Sequence, residues 1–361
     1  MRAALEAASL GCGYVNPNPM VGAVVVKGGE IIGKGFHERY GGPHAERNAI
    51  DACTVKAAGA AIYVTLEPCC HYGKTPPCTD AIIESGISRV VIGAIDPSPP
   101  VAGKGVQKLK AAGIEVVTGV LEKECLELNR VFFHYTKTNT PYVVMKYAMT
   151  ADGKIAAYTG NSKWITGEAA REKVHRDRHR YSAVMAGVGT VLKDDPLLTC
   201  RIENGRNPVR IICDTNLRTP VDSQIVSTAK DVPTIIATAC GDPEKRKKYT
   251  DKNCKLITVS KKGDHIDLKE LTEKIGEEKI DSILLEGGSA LNWSALACGI
   301  VNRVQAYIAP KILGGTGAVS PVGGLGADSP ENAFILSDTS VTRIGEDILI
   351  ESELSKKCSQ G

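Results

Sequence analysis

His44-Ala45-Glu46 is followed by Pro68-Cys69 and, with eight residues between the two thiols, by Cys78. Zinc takes nitrogen and sulfur ligands tetrahedrally, and a catalytic centre keeps one position open for water. His44, Cys69 and Cys78 would supply three protein ligands. Cys78 falls at the expected start of a helix, where the helix dipole favours the thiolate that zinc requires. Zinc lowers the pKa of a bound water to about 7. Glu46, two residues past the imidazole, could then take the water proton and return it to a ring nitrogen and to departing ammonia. Nucleobase deaminases use this assembly: His-x-Glu, then Pro-Cys and a second cysteine, with the glutamate off the metal. Their cysteines enclose two residues, whereas these enclose eight, from Cys70 to Pro77.

Two other readings share these residues. Buried thiols around a core histidine would explain isolated donors, but not three donors with a carboxylate at this offset on a strand–helix frame. A structural zinc site normally recruits a fourth ligand, and Cys70 and His71 are at hand. The remaining nine of the 12 cysteines show no ligand spacing and read as packing residues.

The elements expected to carry these groups alternate as in α/β proteins. A helix over residues 1–12 precedes strands at Val21–Val26 and Ile31–Phe36, joined by the turn Lys27-Gly28-Gly29-Glu30. A helix from His44 to Ala57, a strand at Ala61–Thr65 and a helix from Cys78 to Ser85 frame the candidate centre. A strand at Val90–Ala94, a helix over Gly105–Ala111, a strand at Glu115–Thr118 and a helix over Glu122–Phe133 complete this half. The polar, proline-terminated segment Thr136–Pro141 marks the boundary, giving expected domains of residues 1–139 and 140–361.

Strands are expected in the second half at Tyr142–Tyr147, Ala183–Ala186, Val209–Cys213, Thr234–Thr238, Leu256–Val259, Ser282–Leu285 and Arg303–Ile308. Glu286-Gly287-Gly288 leads from one strand into a helix, where glycines let backbone N–H groups approach a phosphate. Gly187-Val188-Gly189-Thr190 follows another strand. A plain tight turn explains either as well as a cofactor site does, and neither is the Gly-x-Gly-x-x-Gly of a Rossmann site. Arg178 and Arg201 could clamp a phosphate bidentately, or could be surface arginines. Lys146 and Asp152 are the candidate general acids.

Composition narrows the function classes. A net charge of +3 over 361 residues, with 5% aromatic residues, is unlike a nucleic-acid surface. The run from Glu244 to Lys248 reads as a solvated helix face. No stretch approaches the roughly 18 apolar residues of a membrane span, and Met1–Glu6 has no apolar core of a secretory signal. Cytoplasmic residence with reduced thiols is expected. An RNA or nucleoside deaminase with an appended binding domain, and a non-catalytic zinc-stabilised module, are the competing functions.

Leu66-Glu67-Pro68-Cys69-Cys70-His71-Tyr72-Gly73-Lys74-Thr75-Pro76-Pro77-Cys78 resembles the deaminase motif of the bifunctional riboflavin-biosynthesis deaminase/reductase family. Asn16–Gly22, His44–Glu46, Asp96-Pro97 and Val101–Gly105 agree with it. So do Asp152–Ala156, Ser162–Thr166, Gly189–Val191, Asp194–Pro196 and Glu286–Gly288 in the second half. The residue after Cys69 is Cys70, where that family usually has serine. The resemblance implies an α/β chain with a cytidine-deaminase-like α/β/α domain followed by a dihydrofolate-reductase-like α/β domain. It implies zinc and NADPH as cofactors and a phosphoribosylated pyrimidine as the small-molecule substrate. It also implies a homo-oligomer, dimer or tetramer, with neither nucleic acid nor membrane as partner.

The first domain would deaminate a diaminopyrimidinone ribosylamine phosphate, and the second would reduce its ribosyl chain to ribityl. Matching positions suggest Asn18, His37, His71 and Lys74 as deaminase substrate contacts. They suggest Ala148, Trp164, Thr190, Asp194, Gly288, Ser289, Ala290, Leu291, Asn292, Trp293 and Ser294 as NADPH contacts. Ser162, Arg178, Leu198, Arg201 and Glu286 would meet the sugar phosphate.

Overall fold

A computed structural model describes residues 1–72 and 76–355. The chain divides into two compact units, Met1–Asn139 and Thr140–Gly361. In the first, α1 (Arg2–Ser9) precedes β1 (Gly22–Lys27) and β2 (Glu30–Phe36). Next come α2 (Ala45–Asp51), β3 (Ala61–Leu66), α3 (Cys78–Glu84), β4 (Arg89–Ala94), α4 (Lys104–Ala111) and β5 (Glu115–Val117). Helices α5 (Glu122–Leu128) and α6 (Arg130–Thr138) close the unit. The sheet order is β2-β1-β3-β4-β5. β1 runs antiparallel to β2 and β3, and β3, β4 and β5 are parallel.

Ala45 and Ala49 of α2, Ile82 of α3 and Leu109 of α4 share one core with Val25, Ile62 and Ile92. Leu5, Cys125, Phe132 and Phe133, from α1, α5 and α6, form a separate cluster with Leu66 and Ala94. Helix α2 sits so close to β2 that a Cβ on Gly35 would lie 2.3 Å from the Ala49 nitrogen. Only glycine admits this approach, which brings the start of α2 onto the sheet.

Two elements here differ from expectation. The helix expected to reach Ala57 stops at Asp51, because the Thr54 N–H and hydroxyl both turn to the Ile32 carbonyl of β2. The helix expected over Glu122–Phe133 breaks at Asn129 and then runs on to Thr138. The buried Asn129 amide exchanges two 2.8 Å hydrogen bonds with the Met20 backbone, tying the break to the loop before β1.

The second unit begins with β6 (Tyr142–Thr150), α7 (Glu168–Arg180), β7 (Ala183–Gly187), α8 (Val188–Asp194) and β8 (Val209–Cys213). It continues through α9 (Gln224–Ser227), β9 (Thr234–Thr238), α10 (Pro243–Thr250), β10 (Lys255–Thr258), β11 (Lys261–Lys262) and β12 (His265–Ile266). Then follow α11 (Leu268–Glu277), β13 (Ser282–Leu285), α12 (Ser289–Ala297), β14 (Val301–Ala309), β15 (Leu336–Ile344) and β16 (Asp347–Leu354). The main sheet order is β10-β9-β8-β7-β13-β6-β14-β16-β15. It is parallel from β10 to β14, with β16 and β15 added antiparallel.

Alternate residues of one strand feed opposite cores, as the period of two requires. Ala183 and Met185 join Ile283 and Leu271, whereas Val184 and Ala186 join Ile225 and Tyr249. Burial on both faces explains why these strands read as continuous apolar runs. The basic run from Glu244 to Lys248 lies on α10, almost wholly exposed. Among the described residues no helix is long and apolar enough to cross a membrane.

Candidate active sites

In the first unit, His44 caps α2, Glu46 sits in its first turn, β3 delivers Cys69, and Cys78 opens α3. Their one nitrogen and two sulfurs lie within 4.8 Å of one another. The Nδ1 of His44 is 3.5 Å from the Cys69 sulfur and 3.3 Å from the Cys78 sulfur, and the Cys78 N–H donates to the Cys69 sulfur at 3.3 Å. Tetrahedral zinc with ordinary bond lengths needs sulfur–nitrogen edges of about 3.6 Å. The donor set therefore fits zinc.

Neither Glu46, Cys70 nor His71 belongs to this donor group. Cys70 lies 3.8 Å from the Pro100 carbonyl and His71 is exposed. No fourth protein ligand closes the site among the described residues, which is the open geometry a catalytic centre needs. Glu46 is 3% exposed, and burial, assisted by negative charge on Cys69, pushes its carboxyl up to about 7. Hydrogen bonds from Cys78 and His44 pull the Cys69 thiol down to about 4, while Cys78 is driven the other way.

His37 packs edge-on against His44, with ring centroids 5.5 Å apart. Its Nδ1–H donates to the Pro43 carbonyl at 2.9 Å, so Nε2 is left to accept from the Asn18 amide at 3.1 Å. Burial lowers the His37 pKa and favours this neutral form. Asn18 and His37 are thus joined beside the metal set, His71 stands in the open, and Lys74 lies outside the described residues.

One organising residue carried no sequence signal beyond its place in the motif. The buried Glu67 accepts N–H groups from Asp96 (3.3 Å), Gly103 (2.9 Å) and Val106 (3.1 Å). That clasp fixes the segment leading into α4 against the strand end that carries Cys69.

In the second unit a cavity of about 700 Å³ opens along the carboxyl ends of the central strands. Met145, Leu285, Met185 and Ile211 are register partners across β6, β13, β7 and β8. Just beyond them Lys146, Glu286, Gly187 and Cys213 line the cavity strand by strand, as parallel α/β sheets arrange their ligand sites. Ala148, Ser162, Trp164, Thr190, Asp194, Arg178, Arg201 and Glu286 line it. From the β13–α12 turn and α12 come Gly288, Ser289, Ala290, Leu291 and Ser294.

Three expected contacts lie elsewhere. Leu198 is 4% exposed within a hydrophobic core, where its side chain packs with Val191 and Ile212. Asn292 is fully buried with its amide on the Pro321 carbonyl at 2.9 Å. Trp293 stacks edge-on against Phe334 at 6.0 Å. The helical period turns both away from the wall that Leu291 and Ser294 line.

Arg178 grips Glu286 at two points, Nε to Oε1 at 2.6 Å and Nη2 to Oε2 at 2.9 Å, and donates from Nη1 to the Thr199 carbonyl at 2.9 Å. Three of its five N–H groups are so engaged, and two remain. Arg201 is exposed. Lys146 lines the cavity 5.7 Å above the Tyr307 ring, and burial lowers its pKa. Asp152 does not line the cavity. It accepts from the Thr150 hydroxyl and the Leu313 and Gly314 N–H groups, which hold it at about 2, so it clips a loop and is no general acid.

His175, Lys193, Thr215, Arg218 and His265 also line the cavity and were not singled out from the sequence. His175 was legible in principle, since Arg171, Val174, His175 and Arg178 follow the helical repeat of one face. Burial and the charges of Arg178 and Arg201 pull His175 down to about 4, so it is neutral.

The cavity volume suits a small-molecule or cofactor site. A Cβ on Gly288 would meet nothing nearer than the Thr190 hydroxyl at 4.0 Å, and one on Gly189 nothing within 4 Å. Both turns thus leave open space beside bare backbone, and the first N–H groups of α12 have no partner within their helix. This donor-rich crevice fits a dinucleotide.

The family described as the cytidine and deoxycytidylate deaminase zinc-binding region matches residues 1–94, and the RibD C-terminal domain family matches residues 141–350. Riboflavin biosynthesis protein RibD of Actinobacillus pleuropneumoniae is 54% identical over 97% of this chain and 93% of its own. Its Aquifex aeolicus counterpart is 45% identical over 97% and 96%. Among solved structures, a diaminohydroxyphosphoribosylaminopyrimidine deaminase/5-amino-6-(5-phosphoribosylamino)uracil reductase from Thermotoga maritima superposes with a TM-score of 0.86 at 41% identity, covering 98% of this chain and 97% of its own. Acinetobacter baumannii RibD gives 0.88 at 35% identity, covering 98% of each. A zinc-binding deaminase region joined to a reductase domain over nearly full-length relatives settles the kinship: the chain belongs to the RibD family of riboflavin biosynthesis proteins.

Proposed function

We propose that this chain carries out two successive steps on one phosphoribosylated pyrimidine. Residues 1–139 deaminate 2,5-diamino-6-ribosylamino-4(3H)-pyrimidinone 5′-phosphate to 5-amino-6-(5-phosphoribosylamino)uracil. Residues 140–361 then reduce the ribosyl chain to give 5-amino-6-(5-phosphoribitylamino)uracil. The observation that carries the reading is the three-donor set with a buried carboxylate beside it but off it.

His44, Cys69 and Cys78 hold zinc, whose Lewis acidity makes water nucleophilic near neutral pH. Glu46 takes the proton of the water attacking the ring carbon and delivers it toward the ring nitrogen and the departing ammonia. Its carboxyl, raised to about 7 by burial, can work in both directions at neutral pH. Asn18 and neutral His37 offer polar contacts to the substrate, and the resemblance adds His71 and Lys74 as further substrate contacts.

In the second unit Ala148, Trp164, Thr190, Asp194 and the Gly288–Leu291 turn with Ser294 hold NADPH, which supplies the hydride. Arg201, the two remaining N–H groups of Arg178, and Ser162 hold the sugar phosphate, while Glu286 orients Arg178 and the sugar hydroxyls. Lys146, inside the cavity, holds a proton at Nζ for the opening sugar oxygen or nitrogen.

Self-association is supported by the edge strand β15, which exposes Leu336 and Val341. Cytoplasmic residence is supported by a site built from free thiols. Mass spectrometry of the product tests the central reading. The diaminopyrimidine phosphate should gain about one mass unit without NADPH, as C–NH2 becomes C=O, and two hydrogens more with it. An unchanged substrate in both arms would refute the proposal.

A further inference from the structure

Lys146 lines the cavity, yet it makes no hydrogen bond or ion pair among the described residues. The alternation of β6 puts it on the same side as Ala148, which packs with Val174 of α7, Tyr307 of β14 and Leu349 of β16. Gln305 is the register partner of Lys146, and Tyr307 is that of Ala148. The Lys146 Nζ stands 5.7 Å from the Tyr307 ring centre, inside the roughly 6 Å reach of a cation–π contact. Tyr307 is 0% exposed, so its ring face is dry and such a contact is at its strongest. Behind the ring, the Tyr307 hydroxyl donates to Asp177 Oδ2 at 3.3 Å, and Lys173 pairs with Asp177 Oδ1. Ammonium, phenol and buried carboxylate therefore stand in a row from β6 across β14 to α7.

The other charges around Lys146 do not replace this row. Glu286 at the end of β13 gives both oxygens to Arg178, whose own charge opposes that of Lys146. His175 is neutral. Arg303, further along β14, is taken by Glu351 and Glu353 of β16. Asp177 itself faces Lys173 and Arg180 on α7 and Glu351 on β16. Burial favours the neutral amine of Lys146, with Glu286 and Asp177 acting against it.

We propose that Tyr307 and Asp177 are positioning residues for the reduction, the ring face and the carboxylate behind it keeping the Lys146 amine protonated at the cavity wall. This rests on the reading of Lys146 as the group that holds a proton for the sugar. Neither residue touches the cavity contents. Both act through Lys146.

The test is trace acetylation of ligand-free, full-length protein across pH, because only a neutral amine reacts. Peptide mass spectrometry reads Lys146, with the exposed Lys245 as internal standard. In Asp177→Asn and in Tyr307→Leu the pH of half-maximal acetylation at Lys146 should fall by about one unit. Tyr307→Phe keeps the ring face and should stay near wild type, and Lys245 should not move. The alkaline limb of the reduction rate should shift down in the same two variants. The near-isosteric Asp177→Asn decides the matter if the leucine variant does not fold. A Lys146 profile unmoved in folded Asp177→Asn, or moved as far by Tyr307→Phe as by Tyr307→Leu, overturns the proposal while the role of Lys146 stands. A full reduction rate in Lys146→Gln overturns the role of Lys146 and the use of the pair in the reaction, whatever the acetylation profile.

Discussion

Arg178 and Glu286, 108 residues apart, meet in a two-point ion pair with side chains only 11% and 12% exposed. Burial alone would push Glu286 up, but the charge and hydrogen bonds of Arg178 outweigh it and hold the carboxyl at about 2. The pair therefore stands ionised before any ligand arrives, and it joins α7 to the end of β13 at the floor of the cavity. Removing one partner leaves a buried charge alone, which costs about 3–5 kcal/mol. Arg178→Met should lower stability by that order, and the double variant with Glu286→Leu should recover part of it. Urea unfolding followed by tryptophan fluorescence reads this directly, because Trp164 and Trp293, the chain's two tryptophans, both belong to this unit. Additive losses in the double variant would show the two residues to be uncoupled.

The same cavity should make the second unit acid-sensitive. His175 is held at about 4 in the fold, against 6.5 ordinarily. Between those values the unfolded chain binds more protons, so the stability His175 contributes is complete above about pH 6.5 and is lost as pH falls toward 4. Glu286, held at about 2 against 4.5, adds a loss of the same sign below pH 4.5. The urea midpoint should decline steadily from pH 7 to pH 4, and His175→Gln should flatten the part above pH 4.5. A midpoint that rises on acidification contradicts the burial of a neutral His175.

Glu46→Gln keeps the size and burial of the side chain but cannot accept a proton. Deamination should fall by at least the factor of about 100 to 10,000 typical of general acid–base catalysis. Zinc content by elemental analysis should stay at the wild-type level, since Glu46 is outside the donor group. Reduction of already deaminated intermediate should be spared. A parallel loss of both activities would contradict separate sites.

How far the sequence could be read depended on whether a feature was local. His44, Glu46, Cys69 and Cys78 were legible because few other roles demand those types at that spacing, and their strand and helix frames are continuous runs. Arg218, by contrast, has nothing in its neighbours to reveal that β8 adjoins β7, and the convergence that makes it a cavity residue is tertiary. The role of Asp152 is hidden from the sequence for a related reason, since the Leu313 and Gly314 amides that occupy it lie some 160 residues away. The hairpin β15–β16 was not foreseen, because β15 is exposed nearly throughout and shows no alternation of apolar and polar residues. The helix after His44 was overextended because Thr54, which ends it, bonds across to β2 rather than along its own chain.

Metal removal should separate the two units. Cys69→Ser or Cys78→Ser deletes one of three protein ligands, and zinc content should fall well below one per chain. A chelator acting on wild type should abolish deamination and spare NADPH-dependent reduction of the deaminated intermediate. Activity restored by zinc but not by magnesium would match the nitrogen and sulfur donors, since magnesium prefers oxygen. Full deaminase activity in zinc-free protein would rule out the metal assignment.

Arg210 tests the architecture beneath the cavity. It is fully buried on β8. Its Nη1 reaches the Leu197 carbonyl at 3.2 Å and the Thr228 hydroxyl at 2.8 Å. Its Nη2 reaches the Ile225 and Val232 carbonyls at 2.9 and 3.0 Å, and Thr234 accepts at 3.0 Å from Nε and at 2.7 Å from Nη2. Burial pulls its pKa down to about 10, which still leaves it charged at neutral pH. The guanidinium is thus neutralised by carbonyl and hydroxyl dipoles, and it ties the segments around α9 to β8, the strand from which the loop bearing Thr215 and Arg218 departs. Arg210→Met would fill much of the volume but leave those carbonyls buried without donors, at about 1–3 kcal/mol each. The loss should exceed about 3 kcal/mol, and Arg210→Lys, with a single donor centre, should lie between it and wild type. If the methionine variant unfolds at the wild-type urea midpoint, the arginine is not what holds these segments together.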